Sequence, residues 1–167
     1  PQRRALVVLS ISQIITWGAL YYGYAMTAPL MVKEFGWSQT FVYAGFSVML
    51  LASGFAAPFV GRVIDAEGGH RIMTAGAIVA AAGMIIFATL QSSMMLIVAS
   101  IVTGLGMSAT LYESAFSTLT WLDGARARRL ITLVTLAGGL ASTVFWPLTA
   151  WMLTFLDWRD VCWVYAA

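Results

Sequence analysis

One carboxylate sits where a carboxylate is costly. Glu113 lies inside an apolar run from about Met94 to Leu122 that holds no other Asp or Glu and no Lys, Arg or His. If that run crosses a bilayer, a charge near its centre costs roughly 2.5–3.5 kcal/mol on insertion scales. Glu113 is therefore expected to face a bundle interior or a water-filled cavity. Burial there favours the neutral acid, which can take up and release a proton. The chemistry on offer is proton coupling, or a counter-charge for a cationic substrate. The alternative is a structural carboxyl, hydrogen-bonded to Ser117 or Tyr112 or reaching the polar interface.

A second group repeats at helical spacing. Gln13, Trp17, Tyr21 and Tyr24 follow one another at steps of four, four and three, which places them on one helical face. Such a face offers hydrogen bonds and aromatic walls, as small-molecule sites do, although ordinary helix packing produces the same pattern. Tyr112, beside Glu113, and Trp146, beside the helix-kinking Pro147, are further candidates for a cavity wall. Catalytic and metal chemistry find little support. The chain has one His and one Cys, and no clustered acids within the apolar runs to serve a metal or acid–base pair. No cofactor is expected, and a net charge of +2 is too small to suggest a nucleic-acid partner.

The elements that carry these residues follow from composition. Of 167 residues, 60% are hydrophobic and 10% charged, whereas soluble domains run near 45–50% and about 25%. Most of the surface must meet lipid. The runs predict an all-α membrane protein with spans at about 6–32, 39–64, 72–90, 94–122 and 130–156, and the start of a sixth at 161–167. Each complete run is long and continuously apolar, unlike the roughly ten alternating residues of a membrane strand. Ser38 is a plausible helix N-cap, and Asp65 to Arg71 reads as a polar hairpin. Gly104-Leu105-Gly106 and Ala80 to Gly83 read as close helix contacts. Pro1 in place of Met, and a last apolar run far short of the roughly 20 residues a span needs, predict a piece of a longer chain.

The cations set the orientation. Arg3, Arg4, Arg62, Arg71, Arg126, Arg128 and Arg129 fall on one side, and only Lys33 and Arg159 on the other. The positive-inside rule puts the N-terminus in the cytoplasm, consistent with a bacterial-type inner (plasma) membrane.

The hairpin between spans two and three reads Gly61-Arg62-Val63-Ile64-Asp65-Ala66-Glu67-Gly68-Gly69-His70-Arg71. This resembles the signature loop of the major facilitator superfamily: Gly, three residues, Asp, a basic residue, any residue, Gly, any residue, then one or two basic residues. Gly61, Asp65, Gly68 and Arg71 match; Ala66 and His70 depart. Glycine at 61 would let another helix approach closely, and Gly68 and Gly69 allow a sharp reversal. The resemblance implies the N-terminal six-helix bundle of a twelve-helix transporter. The loop would act as a conformational latch, with Asp123 pairing with Arg71 or Arg126 across the cytoplasmic ends.

It also implies a small-molecule substrate, alternating access and a C-terminal half of the same protein as partner. Ser100, and the order Gly138-Gly139 before Pro147, depart from the drug/proton antiporters. Asp157-Trp158-Arg159 is more similar to monocarboxylate and organic-anion porters, where the usual sequence is Gly-Trp-Arg. A transporter-like receptor or scaffold that binds without moving its ligand is the rival reading.

Overall fold

The computed structural model describes residues 2–167, with side chains from Arg3 onward. The described residues form an all-α bundle without strands. Span one, Arg3–Phe35, consists of α1 (Gln2–Thr16), a π-helical turn (Trp17–Tyr22) and α2 (Gly23–Phe35). Span two is the single helix α3 (Gln39–Glu67) and span three is α4 (Gly69–Ala88). Span four, Ser93–Leu122, is divided into α5 (Ser93–Thr110) and α6 (Tyr112–Leu122). Span five, Ala127–Met152, is divided into α7 (Ala127–Gly139) and α8 (Ala141–Met152). A last helix, α9 (Trp158–Ala166), follows. All five spans are long and apolar enough to cross a membrane.

The helix ends follow local chemistry. Ser38 Oγ accepts the Phe41 amide at 3.2 Å and Ser92 Oγ accepts that of Met95 at 3.3 Å, each capping an otherwise unpaired first-turn N–H. Gly36 ends α2 with φ 65°, a left-handed conformation that suits glycine. The Asp65–Arg71 segment departs from the expected hairpin: it is helical except at Gly68. With φ 80° and ψ 165°, Gly68 reverses the chain by itself, so α3 continues through Asp65 to Glu67 and α4 restarts at Gly69.

Spans three and four make the closest contact, and small residues permit it. A Cβ added at Gly76 would meet Ala109, one at Gly83 would meet Thr103, and one at Gly106 would lie 2.5 Å from the Ala80 backbone nitrogen. Gly104 faces the Met49 carbonyl of span two in the same way. Without a hydrophobic force between helices in lipid, such close backbone approach supplies the van der Waals attraction. The far end of the bundle is tied by Arg159. Its guanidinium donates to Glu34 at 2.6 Å and to the Leu90 carbonyl at 2.8 Å, while Trp158 Nε1 donates to Glu34 at 2.7 Å. Arg159 thus joins the start of α9 to the ends of spans one and three, away from mid-span.

Candidate functional site

Spans one and four both lose regular α-helix partway along their length. In span four the interruption is at Leu111, whose φ −82° and ψ −169° are extended. Carbonyls freed by a break inside lipid need other donors, and side chains supply them. Gln13 Nε2 donates to Thr110 O at 2.8 Å and Ser114 Oγ donates to Ser108 O at 2.7 Å. In span one the π-helical turn widens the helix at Trp17–Tyr22, a distortion frequent at functional sites.

The two irregular segments meet through their rings. Trp17 lies 5.1 Å from Tyr21 and 5.1 Å from Tyr112, centroid to centroid. Tyr112 stacks on Phe116 at 5.2 Å. Tyr21 meets Tyr22 at 5.4 Å and Phe46 of span two at 4.8 Å, both edge to face. All six rings are half-buried, so they form one aromatic wall with part of each ring uncovered. Such pairs contribute roughly 0.5–1.5 kcal/mol each beyond area burial, which holds the wall in shape. Tyr112 is anchored further: its hydroxyl donates to Thr135 O at 3.2 Å, over Gly138, where any Cβ would strike the phenol. At the wall's base, Gln13 Oε1 and Trp17 Nε1 are buried, one helical turn apart, without a hydrogen-bond partner among the described residues.

Several expected site residues sit elsewhere. Tyr24 is 4% exposed and donates to Val42 O at 2.5 Å. It packs between spans instead of lining a cavity, because the π-turn shifts the helical phase beyond Tyr22. Gln13 is fully buried and spends its amide on the span-four break. Trp146 lies exposed on α8 with no ring contact to the wall; its neighbour Phe145 turns inward over Gly18. Glu113 is exposed on the surface of this bundle, not held in its interior. The break at Leu111 places it in the first turn of α6, where a helix N-terminus favours negative charge. Tyr112 and Trp17 are brought together as a pair, and Tyr21 joins them.

The loop residues divide as well. A Cβ at Gly61 would meet nothing within 4 Å, so no helix of this bundle makes the close approach expected there. Gly68 lies over the Trp121 ring and Gly69 against Thr118, which seats the reversal on α6. Asp65 and Arg71 are exposed, and their side chains make no hydrogen bond or ion pair with described residues. Asp123 accepts the Arg126 amide at 3.3 Å, a local turn contact. A cavity of about 470 Å³ beneath this loop, between α1, α4 and α6, is lined mainly by apolar groups such as Val8, Met73 and Trp121. It lacks the convergent polar groups of a small-molecule site.

Three wall residues escaped the sequence reading. Phe116 repeats Tyr112 at four residues and was open to detection. Tyr22 joins only because of the π-turn, and Phe46 only because span two packs there. The Gln13 amide allows a direct check. Gln13→Leu leaves the Thr110 carbonyl unpaired in apolar surroundings, and the expected loss is about 1–3 kcal/mol. It would be read as a lower unfolding midpoint in detergent; an unchanged midpoint refutes the capping role.

The family model described as Major Facilitator Superfamily matches residues 8–167. None of the curated proteins compared with the chain matches it. The long apolar spans, the reversal at Gly68 and a family match over nearly the whole length agree: the chain belongs to the Major Facilitator Superfamily, a family of membrane transporters.

Proposed function

We propose that the chain forms the N-terminal half of a secondary transporter that moves a small organic solute across the inner membrane by alternating access, with proton coupling through Glu113. The observation that carries this reading is the aromatic wall of Trp17, Tyr21 and Tyr112, built where irregular backbone of spans one and four meets. Transporters place substrate sites near the bilayer midplane, at discontinuous helices. The half-covered rings supply apolar contact for a solute completed by the C-terminal half of the same protein. Trp146 is outside this wall, and Tyr24 and Gln13 support it from behind.

Glu113 stands at the surface of the bundle next to Tyr112, in reach of a solvated cavity between halves. Asp65 and Arg71 lie at the arginine-rich end, and their free side chains support a latch against the other half, seated by Gly68 and flanked by Gly61 and Asp123. The N-terminus and the arginine-bearing loops face the cytoplasm in this arrangement. The similarity of Asp157-Trp158-Arg159 to organic-anion porters makes small carboxylates the first solutes to test.

The experiment is uptake by the full-length protein in proteoliposomes under an imposed pH gradient. Trp17→Ala is expected to raise the half-saturating solute concentration up to about tenfold, the loss of one aromatic contact with the solute at roughly 0.5–1.5 kcal/mol. Glu113→Gln is expected to remove the response to the gradient while leaving equilibrating flux. Uptake by Glu113→Gln that still follows the gradient would exclude the coupling role. Binding without flux in the wild type would favour a receptor.

A further inference from the structure

Two glycines close the π-helical turn of span one. Gly18 O accepts the amide of Gly23, the i→i+5 bond that defines the turn. Neither glycine has a positive φ, and in a plain helix alanine would serve better at both positions. What each admits is an aromatic ring from another helix. A Cβ at Gly18 would fall within the Phe145 ring of α8, and a Cβ at Gly23 would lie 2.8 Å from Tyr165 Cε2 of α9.

The two rings form one unit. Their centroids are 5.8 Å apart. Thr149, one turn along α8, donates to the Phe145 carbonyl at 2.6 Å, which leaves the Tyr165 hydroxyl to donate to Thr149 Oγ1. Phe145 and Thr149 are buried. A joined pair of rings needs both glycines on one side of span one. Around an α-helix, residues five apart point about 140° away from each other; the wider π-turn brings Gly18 and Gly23 toward one face. The seat for the two rings therefore exists only while Trp17–Tyr22 is π-helical. Once filled, it opposes a return to α-helix, which would swing one glycine away and set a side chain against the ring.

We propose that Phe145 and Tyr165 are positioning residues for the solute site: they brace the π-turn, and so set where Trp17, Tyr21 and Tyr22 stand in the aromatic wall. All three wall residues lie on that turn, while neither Phe145 nor Tyr165 makes a ring contact with them. The brace rests on the transport reading only in taking that wall as the solute site. Its contacts are made within the bundle itself, between spans one and five and α9.

The full-length protein is labelled with 5-fluorotryptophan and its 19F NMR spectrum recorded in detergent micelles. The Trp17 and Trp151 lines are identified by their loss in W17F and W151F. F145A and Y165A are each expected to move the Trp17 line by more than its width. Y165F keeps the ring on Gly23 and is expected to hold that line near its wild-type position. F155A is the control, a like truncation just beyond span five, where Phe155 meets Trp151 at 4.8 Å; it is expected to move the Trp151 line and leave that of Trp17. A Trp17 line unmoved in F145A and Y165A overturns the proposal, and so does an equal displacement in F155A. Should F145A fail to fold, G18A/F145A, whose added methyl occupies part of the space the ring leaves, is read in its place with the same expectation and the same refutation. The measurement needs no solute, so it separates the two readings. A moved line together with normal uptake by Trp17→Ala would sink the solute site and spare the brace; an unmoved line with impaired uptake would do the reverse.

Discussion

Gly106→Leu is expected to abolish a stable bundle. The added Cβ would lie 2.5 Å from the Ala80 backbone nitrogen and 2.6 Å from its Cα, so the obstacle is main chain and no rotamer change relieves it. Spans three and four would have to part. The same interface depends on Gly76 against Ala109 and Gly83 against Thr103, so separation at the centre loosens both flanking contacts. Overpacking in a core typically costs about 1–3 kcal/mol; a backbone clash in the middle of the tightest helix pair is expected to reach at least the top of that range. The measurement is the yield of monodisperse protein and its unfolding midpoint in detergent. Gly54→Leu on span two, where a Cβ meets nothing within 4 Å, serves as the comparison and is expected to lose little. If Gly106→Leu purifies and melts like wild type, spans three and four do not pack as described.

Gly68→Val is the second large effect, and it separates local conformation from contact. Gly68 holds φ 80° and ψ 165°, a region essentially closed to side-chain-bearing residues, at a cost on the order of 1–3 kcal/mol. Its Cβ would also press on the Trp121 ring at 3.2 Å. With only Gly68 between α3 and α4, the strain cannot spread over a longer loop. The expected result is a drop of about 3 kcal/mol in stability, with faster proteolysis near the reversal. Gly61→Val offers the contrast. It meets nothing within this bundle and is expected to change stability by less than about 0.5 kcal/mol. If transport by Gly61→Val nevertheless falls, the partner that needs a glycine at 61 lies outside these helices, as a latch against the other half requires. Normal stability of Gly68→Val would mean that the reversal adopts another backbone path.

The all-α architecture was legible because span length is a local property. A run of apolar residues long enough to cross hydrocarbon must satisfy its own backbone hydrogen bonds, and a helix does so without reference to its neighbours. The glycine contacts of spans three and four were legible for a related reason: small residues clustered in an apolar helix have few other uses. The reversal at Gly68 was visible as glycine, although not as a one-residue link, since the helical character of Asp65 to Glu67 depends on α3 continuing to pack.

The candidate site was legible only up to the first irregular turn. Helical spacing relates residues correctly while the helix stays regular, and it placed Gln13, Trp17 and Tyr21 near the wall. Beyond the π-turn the phase shifts, so Tyr24 rotates into the core and Tyr22 joins the rings. In span four the break at Leu111 resets the phase again, which is why Glu113 stands on the surface. Whether a helix breaks depends on whether a neighbour can satisfy the freed carbonyl, as Gln13 does for Thr110. The chain alone determined which segments cross the membrane and which end carries the arginines; the packing of spans one and four decided where each helix yields, and therefore which side chains face one another.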